Sequence, residues 1–172
     1  MGGMIAQTMA IYYPERIRTL ISVSSIDEAK LPPVGSKAFN VLIKAAPKDR
    51  EGYIKHSLQF YRFLNGPHFS WDKKLARVWI EQLYDRCNYP EGTARQLAAI
   101  AASGSRKEML KSVRVPTLVI HGDADPLVPL AGGVNTANSI PGAKLKIYKG
   151  MGHTPPPQLW TEIISAIAEH AT

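Results

Sequence analysis

The residues from 115 to 129 form the stretch that most constrains how this chain can fold. Pro116 starts the predicted strand, and three apolar residues follow closely, Leu118, Val119 and Ile120. Proline is tolerated at the first residue of a strand, and a continuously apolar run is typical of a parallel strand covered on both faces. An acidic loop comes next, with Asp125 just beyond the glycine at which the chain turns. Because ligands of open α/β sheets bind at the carboxyl ends of strands, the stretch predicts a parallel sheet with Asp125 at its functional edge.

Two further strands and three helices are predicted outside the middle of the chain. An apolar run predicts a buried strand over 18–25. Alternating apolar and polar residues predict a strand over 143–148 with one solvent-exposed face, as is typical of a sheet edge. Apolar residues at helical spacing predict helices over 2–13, 129–140 and 159–167. The order of strand, helix and strand late in the chain is that of a parallel crossover. We therefore expect an α/β fold with about three mostly parallel strands and flanking helices.

The middle of the chain is predicted to be a helical insertion between two strands. Residues 34–112 contain several amphipathic helical runs separated by Pro and Gly. Residues 31–112 carry 14 Lys and Arg against 7 Asp and Glu, which accounts for the net charge of +7 on the 172-residue chain. These charges are dispersed between apolar helix positions and accompany no nucleic-acid-binding motif. They predict a solvated helix surface and no nucleic-acid partner.

The single cysteine and the hydropathy pattern indicate the cellular compartment in which the protein is expected. Cys87 leaves no internal disulfide possible and suits a reducing compartment, so we expect a cytoplasmic protein. We expect this thiol to be buried on an insertion helix, as free cysteines commonly are. Apolar runs are too short to cross a bilayer, so we expect no membrane contact.

A second polar motif, Gly-Met-Gly-His over residues 150–153, follows the third predicted strand. His153 comes 28 residues after Asp125, about one strand–helix–strand crossover. Adjacent parallel strands lie about 4.8 Å apart, so the two loops can touch. A carboxylate on one imidazole nitrogen fixes the tautomer and leaves the other nitrogen free as a base. Singly, Asp125 is compatible with a turn aspartate and His153 with a loop or capping histidine. Together, at consecutive strand ends, they predict a catalytic pair, whereas His121 is expected to make only a local hydrogen bond.

Four motifs are spread over the chain: MGGMIAQ at 1–7, YPERI at 13–17, HGDADPLVP at 121–129 and GMGH at 150–153. In these motifs the chain resembles the α/β-hydrolase superfamily, in particular its capped, esterase-like members similar to aclacinomycin methylesterase. The resemblance implies that Asp125 is the triad acid and His153 the triad base, with no cofactor and no metal. Asp123 is the rival acid, but the family's Gly-x-x-Asp spacing from Gly122 selects Asp125.

The resemblance also implies a division of the chain. Residues 1–30 and 113–172 look like the C-terminal part of the hydrolase core, and residues 31–112 look like the helical cap that covers the pocket. The expected fold is thus an incomplete α/β-hydrolase fold with a cap insertion. The implied substrate is a small-molecule carboxylic ester of apolar character.

The family's nucleophile elbow, Gly-x-Ser-x-Gly, falls at the start of the chain. Met1, Gly2 and Gly3 match the x-Gly-Gly that follows the serine. The resemblance therefore predicts that the nucleophile and the strands before it are missing, as in a truncated chain, and leaves the backbone N–H of Met1 as a possible oxyanion donor. Ser24 and Ser25, at the end of the first strand, are the candidate substitute nucleophiles. Polar residues that simply face a pocket or solvent are the commoner explanation for both.

Missing strands would leave the first predicted strand with an unpaired apolar edge, and such an edge invites pairing with another chain. We therefore expect a homo-oligomer or association with a separate N-terminal fragment. Two other functions stay open. One is a non-catalytic hydrolase-like module that binds a small apolar ligand or a partner chain, and the other is an inactive truncated fragment.

Overall fold

The protein forms one parallel sheet, described here from a computed structural model that covers residues 1–28 and 30–171. Its strands are β1 (Leu20–Val23), β2 (Thr117–Gly122) and β3 (Lys144–Tyr148). They lie in the order β1-β2-β3, and both neighbouring pairs are parallel. The predicted α/β class with three parallel strands is confirmed, and β1 is shorter than its predicted range.

Helices occupy most of the remaining chain, and their order follows the prediction. In the described residues the α-helices are α1 (Gly2–Tyr12), α2 (Lys37–Ile43), α3 (Arg50–Asn65), α4 (Lys73–Arg86), α5 (Glu91–Ala102), α6 (Lys107–Leu110), α7 (Leu130–Ser139) and α8 (Trp160–Ala171), with 3₁₀ turns at Pro14–Arg16 and Pro157–Leu159. Helices α2 to α6 all lie between β1 and β2, and this helical connection is called the insertion below. Helix α7 is the crossover from β2 to β3. Within these residues no helix is both long and apolar enough to span a membrane.

The core lies on both faces of β2, whose six residues are all buried. On one face, Leu118 and Ile120 pack with Ile163 and Ala166 of α8. On the other face a second cluster joins α1, β1, α6 and α7, and its buried members are Ala10, Leu20, Leu110, Val113 and Ile140. The continuously apolar sequence of β2 is therefore explained by cover on both sides.

The insertion has a small core of its own between α3 and α4. Ile54 and Leu58 of α3 pack against Ala76 and Ile80 of α4, and both isoleucines are fully buried. Ion pairs join the same helices, among them Arg50–Asp85 and Arg77–Glu51. Helix α6 differs from this pair, because Leu110 packs into the cluster beside α1 and α7 rather than into the insertion.

Strand β3 is more exposed than the sequence predicted. Its alternation predicted one covered face, yet every residue from Lys144 to Ile147 is exposed and Tyr148 alone is buried. The reason is the position of α8, whose buried residues Ile163 and Ala166 pack over the central strand rather than over this edge.

Cys87 is exposed, so the prediction of a buried thiol was wrong. Helix α4 buries the stripe that contains Ala76 and Ile80, and its last residue is Arg86. Cys87 lies just beyond the helix, in extended backbone, and its amide closes the last turn through the Leu83 carbonyl.

The insertion leaves and rejoins the core at a junction built around Arg106, whose exposure is 3%. Its Nε donates to Gln7 Oε1 of α1 at 3.0 Å, and its Nη2 donates to the Ile26 carbonyl at 3.0 Å. Its backbone N–H donates to the Asp27 carbonyl at 2.8 Å. A buried guanidinium is costly unless its donors are satisfied, so these bonds fix the two ends of the insertion against each other and against α1.

The Asp27 carboxyl at this junction predicts a pH-dependent stability. Burial raises its pKa above the ordinary value, and the Glu28 charge adds to the rise, whereas hydrogen bonds from its own backbone and from Ser139 oppose it. The folded state therefore holds this proton more tightly than the unfolded chain. The contribution of the Asp27 carboxyl to the free energy of unfolding therefore falls as the pH rises from about 4 through the raised pKa.

We expect Asp27→Asn to remove this contribution, so that the variant gains stability relative to wild type as the pH rises. Urea unfolding at a series of pH values between about 4 and 7 measures the difference. Glu15→Gln, at an exposed residue, is the control and should keep the wild-type pH dependence. Parallel pH profiles for wild type and Asp27→Asn would contradict the assignment.

Candidate active site

The loop after β2 carries Asp125 to the carboxyl edge of the sheet. A Cβ on Gly122 would lie 2.0 Å from the Met151 carbonyl oxygen, so only glycine lets the β2 and β3 loops approach this closely. Asp123 is exposed, and its Oδ1 accepts the Gly150 N–H at 2.6 Å. The rival acid therefore joins the two loops, and its carboxylate is engaged away from the histidine.

The Asp125 side chain is fully buried and accepts hydrogen bonds on both oxygens. Its Oδ1 accepts the backbone N–H groups of Leu127 and Val128, each at 2.8 Å. Its Oδ2 lies 2.8 Å from Nδ1 of His153. A carboxylate only accepts hydrogen bonds, so the His153 proton is on Nδ1. The structure thus brings together the two residues singled out from the sequence, in the orientation that leaves Nε2 as a free base.

His153 is held in place by the insertion as well as by Asp125. Its backbone N–H donates to the carbonyl of Leu64, in the last turn of α3, at 2.7 Å. The ring is 23% exposed, and within the described ranges no group hydrogen-bonds to Nε2. The ring is therefore anchored at Nδ1 and open at Nε2, where a general base must meet its proton donor.

Gly152 allows the close contact between α3 and the histidine loop. A Cβ on Gly152 would lie 2.2 Å from the Leu64 carbonyl oxygen and 2.6 Å from the Asn65 carbonyl oxygen. These are backbone atoms, which cannot turn aside as a flexible side chain would. The last turn of α3 and the loop before His153 therefore meet backbone to backbone.

The other candidate residues lie just after β1 and at the start of α1. Ser24 has a positive φ of 46°, unusual for a non-glycine residue, and its buried Oγ has no hydrogen-bond partner among the described residues. Ser25 is buried against Gly3 in the first turn of α1. In residues 1–28 and 30–171 neither hydroxyl hydrogen-bonds to His153. Met1 is the N-cap residue of α1, and burial, together with the Arg106 charge, lowers the pKa of its amino group.

Sequence reasoning missed two contributors to the site. The Leu64 carbonyl is a backbone group distant in sequence, so no residue pattern marks it. His121 makes the expected local hydrogen bond, from Nε2 to the Val128 carbonyl at 3.0 Å. It also lies 3.5 Å from Asp125 Oδ2, and a polar residue within an otherwise apolar strand was the available signal. In the described part of the chain no cluster of three or more His, Cys, Asp and Glu is arranged for a metal ion.

An apolar cavity lies next to the histidine loop. Its volume is about 540 Å³, and it is bounded by α4, by the loop from Thr154 to Pro157 and by the start of α8. Most of its wall is aromatic or aliphatic, formed by Tyr61, Trp71, Leu75, Val78, Trp79 and Trp160. Thr154 directly follows His153, so this cavity borders the loop that carries the candidate base.

The family model for the alpha/beta hydrolase fold matches residues 1–157. A match over most of the chain, together with the parallel sheet and the Asp125–His153 pair at its carboxyl edge, places the protein in the α/β-hydrolase family.

Individual relatives agree with this family. The chain is 51% identical over 161 residues to a non-heme chloroperoxidase of Kitasatospora aureofaciens, covering 88% of this chain and 57% of that protein. It is 27% identical over 179 residues to a 2-hydroxymuconate semialdehyde hydrolase of Pseudomonas putida, covering 99% and 55%. An esterase structure from Exiguobacterium antarcticum matches the fold with a TM-score of 0.75 at 19% identity, covering 98% of this chain and 63% of that chain. The chain spans little more than half the length of these curated relatives.

The backbone contact at Gly152 gives a direct test of how the insertion holds the site. We expect Gly152→Ala to separate α3 from the histidine loop and to lower the free energy of unfolding by about 2 kcal/mol or more, because the clashing atoms are main-chain oxygens. The His153 amide should also lose protection from hydrogen exchange.

Gly2→Ala is the matched control, since a Cβ at Gly2 has nothing within 4 Å. It should change stability by less than about 1 kcal/mol, in the favourable direction for a helical glycine. Equal stability of Gly152→Ala and wild type, with the His153 amide still protected, would contradict the described packing.

Proposed function

We propose that Asp125 and His153 are the acid and base of a Ser-His-Asp-type hydrolase that acts on carboxylic esters of small apolar molecules. The observation that carries the proposal is the 2.8 Å contact between Asp125 Oδ2 and His153 Nδ1, with Nε2 free of partners in the described chain. The apolar cavity beside Thr154 supports the apolar character of the substrate. The ester itself rests on the motifs shared with esterase-like hydrolases. The single cysteine supports a cytoplasmic location.

In this mechanism Nε2 of His153 removes the proton from a serine hydroxyl as the serine oxygen attacks the ester carbonyl. The same nitrogen then returns the proton to the alcohol that leaves. Water repeats the sequence on the acyl-enzyme and restores the serine. Asp125 keeps the proton on Nδ1 and stabilises the imidazolium formed between the two transfers.

The nucleophile is proposed to come from outside the 172 residues, in a Gly-x-Ser that directly precedes Met1. Helix α1 then begins just after the serine, and its first backbone N–H groups have no partners within the helix. In that arrangement the N–H of Met1 faces the developing oxyanion. Ser24 is the substitute nucleophile to test, because its Oγ is unpartnered in the described residues and its backbone has a positive φ.

Two other functions are each favoured by one observation. The relative with 51% identity is named a non-heme chloroperoxidase, which supports a peroxide-dependent halogenation at the same site. The cavity lined by Trp71, Trp79 and Trp160 supports a non-catalytic role in binding an apolar ligand.

The proposal predicts activity from a chain extended upstream to include the Gly-x-Ser. We expect the extended chain to react with a fluorophosphonate probe at that serine and to hydrolyse short-chain p-nitrophenyl esters. Replacing a triad histidine typically lowers kcat by about 10⁶ and a triad aspartate by about 10⁴, so His153→Ala and Asp125→Asn should show losses of that order.

Asp123→Asn is the control, because its carboxylate faces Gly150 rather than the histidine, and it should retain most of the activity. An extended chain that labels no serine and hydrolyses no ester would overturn the proposal. Labelling of Ser24 in the 172-residue chain, lost in His153→Ala, would instead assign the nucleophile there. Halogenation without ester hydrolysis would favour the peroxidase, and ligand binding without either reaction would favour the binding module.

We also propose that the open side of β1 associates with a second copy of the chain or with a separate N-terminal fragment. In the described residues β1 pairs with β2 alone, so its other edge has free backbone groups. Beside it, α1 presents a stripe of exposed apolar residues at helical spacing, Ile5, Met9 and Tyr12. Exposed apolar residues next to an unpaired strand edge are typical of an interface.

Light scattering of the purified chain should therefore give a dimer or a larger species. Ile5→Lys should shift the population toward monomer, because it places a charge in the α1 stripe. Ile164→Lys is the matched control, since Ile164 is also exposed but lies on α8, which packs on the other face of the sheet. A well-folded wild-type monomer would contradict the proposed association.

A further inference from the structure

His121 is a buried titratable side chain that the proposed mechanism does not use. It is the penultimate residue of β2 and has no exposed surface. Its Nε2 lies 3.0 Å from the Val128 carbonyl oxygen and 3.5 Å from Oδ2 of Asp125. A histidine in an apolar strand, aimed at the candidate acid, needs a physical reason.

The opposite side of the ring shows which nitrogen carries its proton. A Cβ on Gly133, in α7, would lie 2.4 Å from His121 Nδ1, so the helix backbone packs directly on this edge of the ring. In the described chain Nδ1 has no hydrogen-bond partner. A buried N–H without an acceptor is costly, so the proton is on Nε2, where two oxygens face it.

The contacts of Nε2 close a ring around Asp125. The His121 Nε2–H donates to the Val128 carbonyl, and the Val128 N–H donates to Asp125 Oδ1. The same Nε2–H lies 3.5 Å from Oδ2, the oxygen that faces His153. His121 thus stabilises the loop whose backbone N–H groups bind Oδ1 of Asp125, and the same ring nitrogen lies 3.5 Å from Oδ2. Two histidines flank Oδ2, one on the buried strand β2 and one, partly exposed, in the loop after β3.

We infer that His121 is a positioning residue, which fixes the Asp125 carboxylate so that Oδ2 holds the proton of His153 on Nδ1. The functional meaning of this inference rests on the proposed acid–base role of Asp125 and His153. Its direct consequence is structural and measurable without substrate. When the His121 Nε2–H donor is removed, the Asp125 carboxylate should rotate, and His153 should lose its fixed Nδ1–H tautomer.

A side chain that merely fills the space beside β2 would have a different signature. Glutamine places its amide nitrogen close to the position of Nε2, whereas asparagine reaches only about as far as Nδ1. His121→Gln therefore keeps a donor for the Val128 carbonyl, and His121→Asn does not. The two variants are otherwise matched in chemistry.

The test is the tautomer of His153, measured in the ¹⁵N-histidine-labelled full chain by long-range ¹H–¹⁵N correlation. Spectra are recorded over a pH series, and the tautomer is read where the His153 signal no longer changes as the pH rises. His153→Gln assigns the signal among the five histidines. We expect wild type and His121→Gln to show the Nδ1–H form, and His121→Asn to show loss of that form into a mixture.

Two results would overturn the inference: an unchanged His153 signal in His121→Asn, or an equal change in the Gln and Asn variants. Gly133→Ala gives an independent approach, because its Cβ displaces the ring without changing its chemistry, and it should reproduce the loss seen in His121→Asn. These outcomes are separate from those of the proposed function. A chain that hydrolyses no ester but keeps the predicted tautomer pattern retains the positioning role of His121.

Discussion

The parallel pairing of β2 with β3 is the interaction on which the site depends. In this register Gly122 lies opposite Tyr148, so both strands end at the same level and their loops leave side by side. The absence of a side chain at Gly122 then lets the loops touch. The backbone therefore brings Asp125 and His153 close together, and the hydrogen bond between their side chains then fixes their contact. Leu118 to Gly122 all pair with β3, and these β2 residues are buried on both faces, so the position of the strand end is well fixed.

Stability is distributed unevenly around this centre. The sheet has two apolar clusters, one on each face of β2, and the insertion has a third between α3 and α4. Leu110 and Phe69 of the insertion pack into the two clusters of the sheet, and a few polar contacts also hold the insertion in position. Arg106 fixes its ends, and the Leu64 carbonyl fixes its middle against the histidine loop. A helical layer held in this way can change its surface residues freely while its anchoring points stay constant.

Much of the fold and the central pair could be predicted from local patterns. The apolar run of β2 and the strand-end positions of Asp125 and His153 are signals carried by neighbouring residues. The exposure of β3 and of Cys87 could not be predicted, because it depends on where α8 and the last turn of α4 lie in space. The Leu64 contact involves a carbonyl that every residue possesses, so it leaves no mark in the sequence. His121 was visible as a polar residue in an apolar strand, but its acceptor, the Val128 carbonyl, and its approach to Asp125 exist only once the loop is folded.

The hydrogen bond from the His153 amide to the Leu64 carbonyl has a consequence for how this protein can be altered. Because both partners are main-chain atoms, an alanine scan of α3 would pass over the contact without detecting it. Exchange of the whole insertion between relatives, in contrast, would replace the Leu64 carbonyl together with helix α3, which sets the direction of that carbonyl. A chimera could thus lose the position of His153 through a changed helix end even when Asp125 and His153 are both retained. For grafted insertions, the angle at which α3 ends matters more than the identity of the residue that ends it.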